Sequence, residues 1–227
     1  MKTREYHQDD KMISLISHDY RQLQVLSRFG IPLGFSDKTI QEVCDAEGVD
    51  CNTFLSVVNF MNHNADTQPD LSKLSLQSLL HYLKQSHIYF LDFYLPSIRR
   101  KLLDAITLKE SDVSFLIIKL FDEYVQEVSD HMEEEERHLF KYVEANLSAS
   151  NLPEGEYCVY SHYHEEVESK LRELKNIIIK YCPPDSKVNL LNDALYDIYR
   201  CEEELGYHCK IEDHLLLPAM KLNRINN

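Results

Sequence analysis

His131-Met-Glu-Glu-Glu135 in the middle of the chain and His208-Cys-Lys-Ile-Glu212 near its end share one spacing, His-x-x-x-Glu. Four residues along an α-helix return to nearly the same face, so each motif aims one imidazole and one carboxylate at a common point. A single motif of this kind carries little weight in a chain rich in His and Glu. Two on separate amphipathic helices, joined by one inward histidine on each of two further helices (His87 and His164), define a polar layer with two points at which a metal ion could be held.

Working outward from these motifs, four long helices can be drawn from Leu74 onward, with breaks at residues 107–111, at Asn151-Leu-Pro-Glu-Gly155 and at Pro183-Pro184. Their apolar residues alternate steps of three and four, the seam of a left-handed bundle. The first seam reads Leu76, Leu80, Leu83, His87, Phe90, Tyr94, Ile98; the second Ile117, Phe121, Tyr124, Val128, His131, Glu135, His138, Tyr142. The third reads Tyr157, Tyr160, His164, Val167, Leu171, Leu174, Ile178, and the fourth Leu191, Leu195, Ile198, Leu205, His208, Glu212, Leu215. Each run is interrupted by His or Glu at a core position, where an unpaired polar group would cost about 1–3 kcal/mol or more. In an up-down-up-down bundle the interruptions also share a height. From the common end, His87 lies about 12 residues in, His131 about 16, His164 about 10 and His208 about 15, which at about 1.5 Å per residue is a spread of one to two turns.

Composition supports this reading. The chain has 227 residues with 5 Gly and 7 Pro, which leaves room for long uninterrupted helices and an all-α fold. A formal charge of −14 argues against a nucleic-acid-binding face or an anionic-membrane surface, either of which relies on clustered Lys and Arg. The N-terminus MKTREYHQDDK has no apolar signal core, and no apolar run approaches the roughly 20 residues that span a bilayer, so a cytoplasmic protein is expected. The six cysteines form no CxxC and read as reduced thiols.

Ahead of the bundle, residues 1–68 form a small helical block, divided from the bundle at 70–227 by the polar stretch Asn62-His-Asn-Ala-Asp-Thr-Gln-Pro-Asp70. Ile13, Ile16, Tyr20, Leu23 and Leu26 predict a first helix ending near Gly30 and Pro32, and two shorter helices follow from about Lys38 and Cys51. The segment from Lys38 to Asn59 has the spacing of a helix-turn-helix. Between Asp37 and Phe60, however, five acids (Asp37, Glu42, Asp45, Glu47, Asp50) face one base (Lys38), which cannot hold phosphates. A packing or dimerisation module is expected instead, with a homodimer as one outcome.

Four neutral imidazoles and two carboxylates suit a borderline divalent metal, and a carboxylate between helices can bridge two ions. For two six-coordinate ions about twelve positions need filling; the six side chains supply about eight and a bridging oxide or hydroxide about two, leaving about two open. An open site in an apolar bundle suits a small diatomic molecule or peroxide. A zinc pair and a metal-free hydrogen-bonded His/Glu network are the competing readings. His138, three residues past Glu135 on the same seam, is either an additional ligand or a core histidine, and Glu127 either orients His131 or is a solvated acid. His81, His162 and His214 fall off their seams, Cys209 reads as a packing residue, and the run Glu133 to Glu136 reads as a solvated face from which only Glu135 turns inward. Tyr157 and Tyr160 approach the layer from the third helix as core residues.

At HYLKQSH ending at His87, SDHMEEEERHLF around His131 and Glu135, Tyr-His164-Glu-Glu, and HCKIEDHLLLP from His208 to Pro218, the chain resembles the RIC (repair of iron centres) di-iron family of the hemerythrin-like HHE superfamily. The resemblance covers about residues 70–222 and implies two oxo- or hydroxo-bridged iron ions, with His87, His131, His164 and His208 as terminal ligands and Glu135 and Glu212 as bridges. It further implies a role in restoring iron-sulfur clusters damaged by nitric oxide or peroxide, with NO, O2 or peroxide as small ligands and damaged iron-sulfur proteins as partners. An O2 or NO sensor and an NO- or peroxide-consuming enzyme need the same ligands and stay open. The layout LSRFGIPLGFSDKTIQEV resembles the small domain that precedes the bundle in that family. Where members carry a Cys-Cys pair this chain has Leu33-Gly34, and Cys44 and Cys51 occupy other helical positions. The acidic balance of this block predicts no salt-sensitive, sequence-specific binding to duplex DNA, which a gel-shift titration at two salt concentrations checks.

Overall fold

The computed structural model describes residues 4–62, 69–106, 112–148, 160–184 and 186–225. Among them every regular element is helical, and no strand occurs beyond an isolated bridge between Lys11 and Thr39. Four short helices, α1 (Met12–His18), α2 (Gln22–Arg28), α3 (Ile40–Glu47) and α4 (Cys51–Asn62), precede the long ones. The first rod is α5 (Leu76–Ile88), a π-helical segment Tyr89–Tyr94 and α6 (Leu95–Ala105). The second is α7 (Asp112–Glu134), a π-helical segment Glu135–Phe140 and α8 (Lys141–Ser148). The third is α9 (Tyr160–Tyr181), and the fourth is α10 (Val188–Ile211), a π-helical segment Glu212–Leu216 and α11 (Leu217–Ile225).

The chain divides into two compact units, and three of the divisions, after Ser86, Lys141 and Cys209, fall within a rod. One comprises Met1–Ser86, Tyr142–Leu152 and Lys210–Asn227; the other comprises His87–Lys141 and Pro153–Cys209. In the first unit the expected single N-terminal helix is broken. Asp19 is extended at φ −147°, accepts from the Arg21 backbone N–H at 3.0 Å and is gripped by the Arg21 guanidinium, so α1 and α2 are separate turns. The break also changes which face is buried. Met12, Leu15, Val25 and Leu26 are buried, whereas Ile13, Tyr20 and Leu23, placed on the inner face by the unbroken period, are exposed.

The two shorter helices form where expected, for local reasons. Thr39 and Glu42 make a reciprocal capping box (3.2 and 2.7 Å), and Gly48 at φ +67° closes α3 in the left-handed conformation that favours glycine. Asp50 accepts from the Thr53 N–H at 2.8 Å to start α4. The second helix of this helix-turn-helix-like pair buries Phe54, Val57, Val58, Phe60 and Met61 instead of presenting a basic face. The turn also brings the buried Cys44 and Cys51 thiols together; the hydrogen bond between them, with burial, pushes Cys44 up, and the same hydrogen bond, against burial, lowers Cys51. Packing ties α2 and α4 to the start of α5: the Phe29 ring lies 5.4 Å from Phe54 and 4.9 Å from Tyr82, and Thr53 Oγ1 accepts from the Ser75 N–H at 2.8 Å.

The second unit is a four-helix core. Ile98 and Leu102 from α6, Ile117, Phe121, Tyr124 and Val128 from α7, Leu171, Leu174 and Ile178 from α9, and Ala194, Ile198 and Leu205 from α10 form one buried cluster. Cross-helix contacts give the direction of the rods. His87 meets Glu136 while Arg99 meets Asp122, so the first and second rods run antiparallel. Tyr94 meets Asp197 while the Lys187 N–H donates to the Ala105 carbonyl at 2.8 Å, so the first and fourth do too. These are the up-down neighbours expected from the seams. Of the third seam, Tyr157 lies outside the described residues, as do the side chains of Tyr160, His164 and Val167. Phe121 is a fully buried member of this cluster. Phe121→Ala is expected to cost about 3–5 kcal/mol, read as a lowered urea midpoint of the helical signal.

Candidate metal centre

The polar layer is built on a backbone irregularity that recurs in three rods. A π-helical turn begins two residues after His87, at Glu135 and at Glu212. Such a turn widens the helix by an extra residue and re-aims the side chains beyond it, and it recurs at functional sites. In the second rod the seam therefore slips. Leu139, Phe140 and Val143 take the buried face, while His138, inward on an unbroken period, stands 64% exposed and pairs with Glu134 at 3.3 Å. His138 is thus outside the layer, and the alternative of an additional ligand is corrected by this phase shift.

Glu135 is the centre of the layer, fully buried. Its Oε2 lies 3.2 Å from His87 Nε2 and 3.9 Å from His208 Nε2, while its Oε1 lies 2.8 Å from His131 Nε2. Its two oxygens thus face different imidazole sets, as a carboxylate bridging two ions requires. Burial alone would push the Glu135 carboxyl up; the imidazoles of His131, His208 and His87 outweigh it and hold the group well below the usual carboxylate range. His87 and His208 face each other through Nε2 atoms 3.2 Å apart. His208 and Glu212, four residues apart on the fourth rod, are both buried, and His87, Glu135, His208 and Glu212 each turn one ligand atom to within 4.8 Å of the others.

This donor set fits a cation. With the His87 Nδ1–H donating to the Glu136 carboxylate at 3.0 Å, Nε2 is the ring atom that faces the oxygen lone pairs of Glu135, and an unprotonated Nε2 meets them with a lone pair of its own. Lone pairs at that separation repel unless a positive charge, a proton or a metal ion, sits between them. Nitrogen from imidazole and oxygen from carboxylate match a borderline divalent ion, and the described donors include no thiolate.

The structure therefore gathers His87, His131, Glu135, His208 and Glu212 at one level. His164 lies within α9, and its side chain is outside the described residues. Glu127 pairs with Lys170. His81 is exposed, and the His214 ring packs 5.9 Å from Phe60. Glu136 departs from the solvated face that the run Glu133 to Glu136 predicts: it lies in the π-helical turn and meets His87. The other three divide as expected, with Glu135 inside and Glu133 and Glu134 outside, paired with Arg137 and His138.

A family model described as the Hemerythrin HHE cation binding domain matches residues 78–220, which span all five gathered residues and His164. No curated protein and no solved structure matches the chain. From the geometry, His131→Ala and Glu135→Ala are each expected to lower bound metal by at least one ion per chain while retaining most of the helical signal, because apolar seams continue beyond the layer. Elemental analysis beside far-ultraviolet circular dichroism checks both.

Proposed function

The chain belongs to the hemerythrin HHE cation-binding domain family, and from that membership we propose a non-haem di-iron protein that restores iron-sulfur clusters damaged by nitrosative or oxidative stress. The observation that carries the reading is the Glu135 carboxylate, buried with one oxygen toward His131 and the other toward His87 and His208. His87, His131, His164 and His208 are proposed as terminal ligands, and Glu135 and Glu212 as bridges. Iron is preferred to zinc, and repair to other roles, on the resemblance of the bundle motifs to the RIC family.

When bound, an iron pair supplies redox activity and open coordination positions for NO, O2 or peroxide. The chain's own residues hold and shield it. Phe140 stacks on the His87 ring at 5.0 Å, Phe90 meets His208 edge-on at 6.2 Å, and buried Val128 and Met132 flank His131 in sequence. Such apolar walls favour small, weakly hydrated molecules over charged substrates. Among the described residues no helix is long and apolar enough to cross a membrane. A cytoplasmic location and the division into a small N-terminal domain (1–68) and a bundle domain (70–227) belong to the same proposal.

A sensor and a detoxifying enzyme would use the same layer, and turnover separates them: an enzyme consumes NO or peroxide over many cycles, whereas a sensor binds once. Protein purified without added metal is expected to contain about two irons per chain with a near-ultraviolet absorption band. After anaerobic reduction, NO should give a new iron-nitrosyl spectrum that is lost in the His87→Ala and Glu212→Ala variants. A reduced, iron-loaded protein whose spectrum ignores both NO and O2 would replace the repair reading with a structural or iron-storing one.

A further inference from the structure

We propose that Glu136 is a positioning residue that fixes His87 for metal binding, gripping the imidazole from the side opposite the layer. The proposal rests on the reading of His87 as a ligand and adds to it a residue outside the HxxxE motifs. His87 is 1% exposed, and three groups from a single π-helical segment surround its ring. Glu135 Oε2 lies 3.2 Å from Nε2, Glu136 Oε1 lies 3.0 Å from Nδ1, and the Phe140 ring is stacked at 5.0 Å and 23°.

Neighbours in sequence thus address opposite nitrogens of one ring. A carboxylate can only accept, so the proton it engages is the Nδ1–H, and the Nε2 lone pair is left pointing into the layer. A histidine held in that tautomer and orientation loses little rotational freedom on binding a metal. Glu136 does this at low desolvation cost, because its side chain remains 51% exposed. Its neighbours on the outward face have other partners: Glu133 pairs with Arg137 and Glu134 with His138.

The test compares Glu136→Ala, Glu136→Gln, Glu133→Ala and His87→Ala, all in the full-length chain, by Co2+ and Fe2+ titration against a competing chelator, with the Co2+ ligand-field spectrum and helix content recorded for each. Loss of an outer carboxylate partner typically weakens metal binding about 10–100-fold. Glu136→Ala is expected to show a loss of that order for one ion with a shifted ligand-field band and unchanged helix content. Glu136→Gln, whose amide oxygen can accept the same Nδ1 proton, should recover most of the affinity, and Glu133→Ala, which removes one charge from the same run, should bind as the parent chain does. The proposal is overturned if Glu136→Ala binds no more weakly than Glu133→Ala, or if Glu136→Gln is as weak as Glu136→Ala. His87→Ala separates the two levels: if it keeps full affinity the reading of the site fails, and if it loses an ion while Glu136→Ala does not, only the positioning role fails.

Discussion

A carboxylate with no exposure to water, held by imidazoles from three helical rods, is the interaction on which the rest of this structure depends. Taking a carboxylate out of water costs several kcal/mol even after relaxation, and only well-placed partners offset it. Glu135 has them: burial pushes its carboxyl up, and His131, His208 and His87 reverse the direction. Satisfying one such group requires the first, second and fourth rods to meet at one register. Apolar seams can slide by a turn at modest cost, whereas a buried carboxylate cannot lose its partners without a penalty of about 3–5 kcal/mol. The seams above and below the layer supply cohesion, and the layer supplies uniqueness of register.

The three π-helical turns follow from the same demand. A straight α-helix places residues four apart on one face, which serves His131 with Glu135 and His208 with Glu212. It cannot also place Glu135 and Glu136 on two nitrogens of one ring and return the following apolar residues to the core. One extra residue in the turn does both, at the expense of weaker backbone hydrogen bonds. That this irregularity sits beside His87, at Glu135 and at Glu212, in all three rods whose layer side chains are described, ties it to the layer rather than to packing at large.

The parts legible in the sequence were those governed by a fixed period. Helical seams at steps of three and four identified the rods and most of the core, including Phe121, Leu174 and Ile198, and the four-residue step paired each His with its Glu. What escaped broke the period. The slip at Glu135 exposed His138 and brought in Leu139 and Phe140, and no composition rule marks where a helix takes an extra residue. Asp19 broke the N-terminal helix through a hydrogen bond to the Arg21 backbone and turned its buried face around, so Ile13 and Tyr20 lie outside. Cys44 and Cys51 lie on separate helices, α3 and α4, and meet because a capped turn reverses the chain between them. Glu136 was hidden by its company, since a run of four glutamates carries no signal as to which one turns back.

Charge balance gives the layer its chemical bias. Under the proposed assignment two divalent ions bring four positive charges, and Glu135 and Glu212 return two, while the imidazoles return none. Two uncompensated charges inside an apolar bundle are unfavourable at the low effective dielectric found there. The Glu136 carboxylate lies one ring away from the layer, and its proximity offsets part of the excess through His87. What remains favours a small electron-rich group in the open positions, an oxygen bridge or a bound diatomic, over a neutral and bulky one. The net charge of −14 gives the chain as a whole the opposite sign, so cations are drawn toward the molecule, while the layer, once filled, selects for small electron-pair donors. The same arithmetic explains why a half-exposed glutamate serves behind His87 better than a third buried one: a fully buried carboxylate would carry a desolvation cost that solvent spares Glu136.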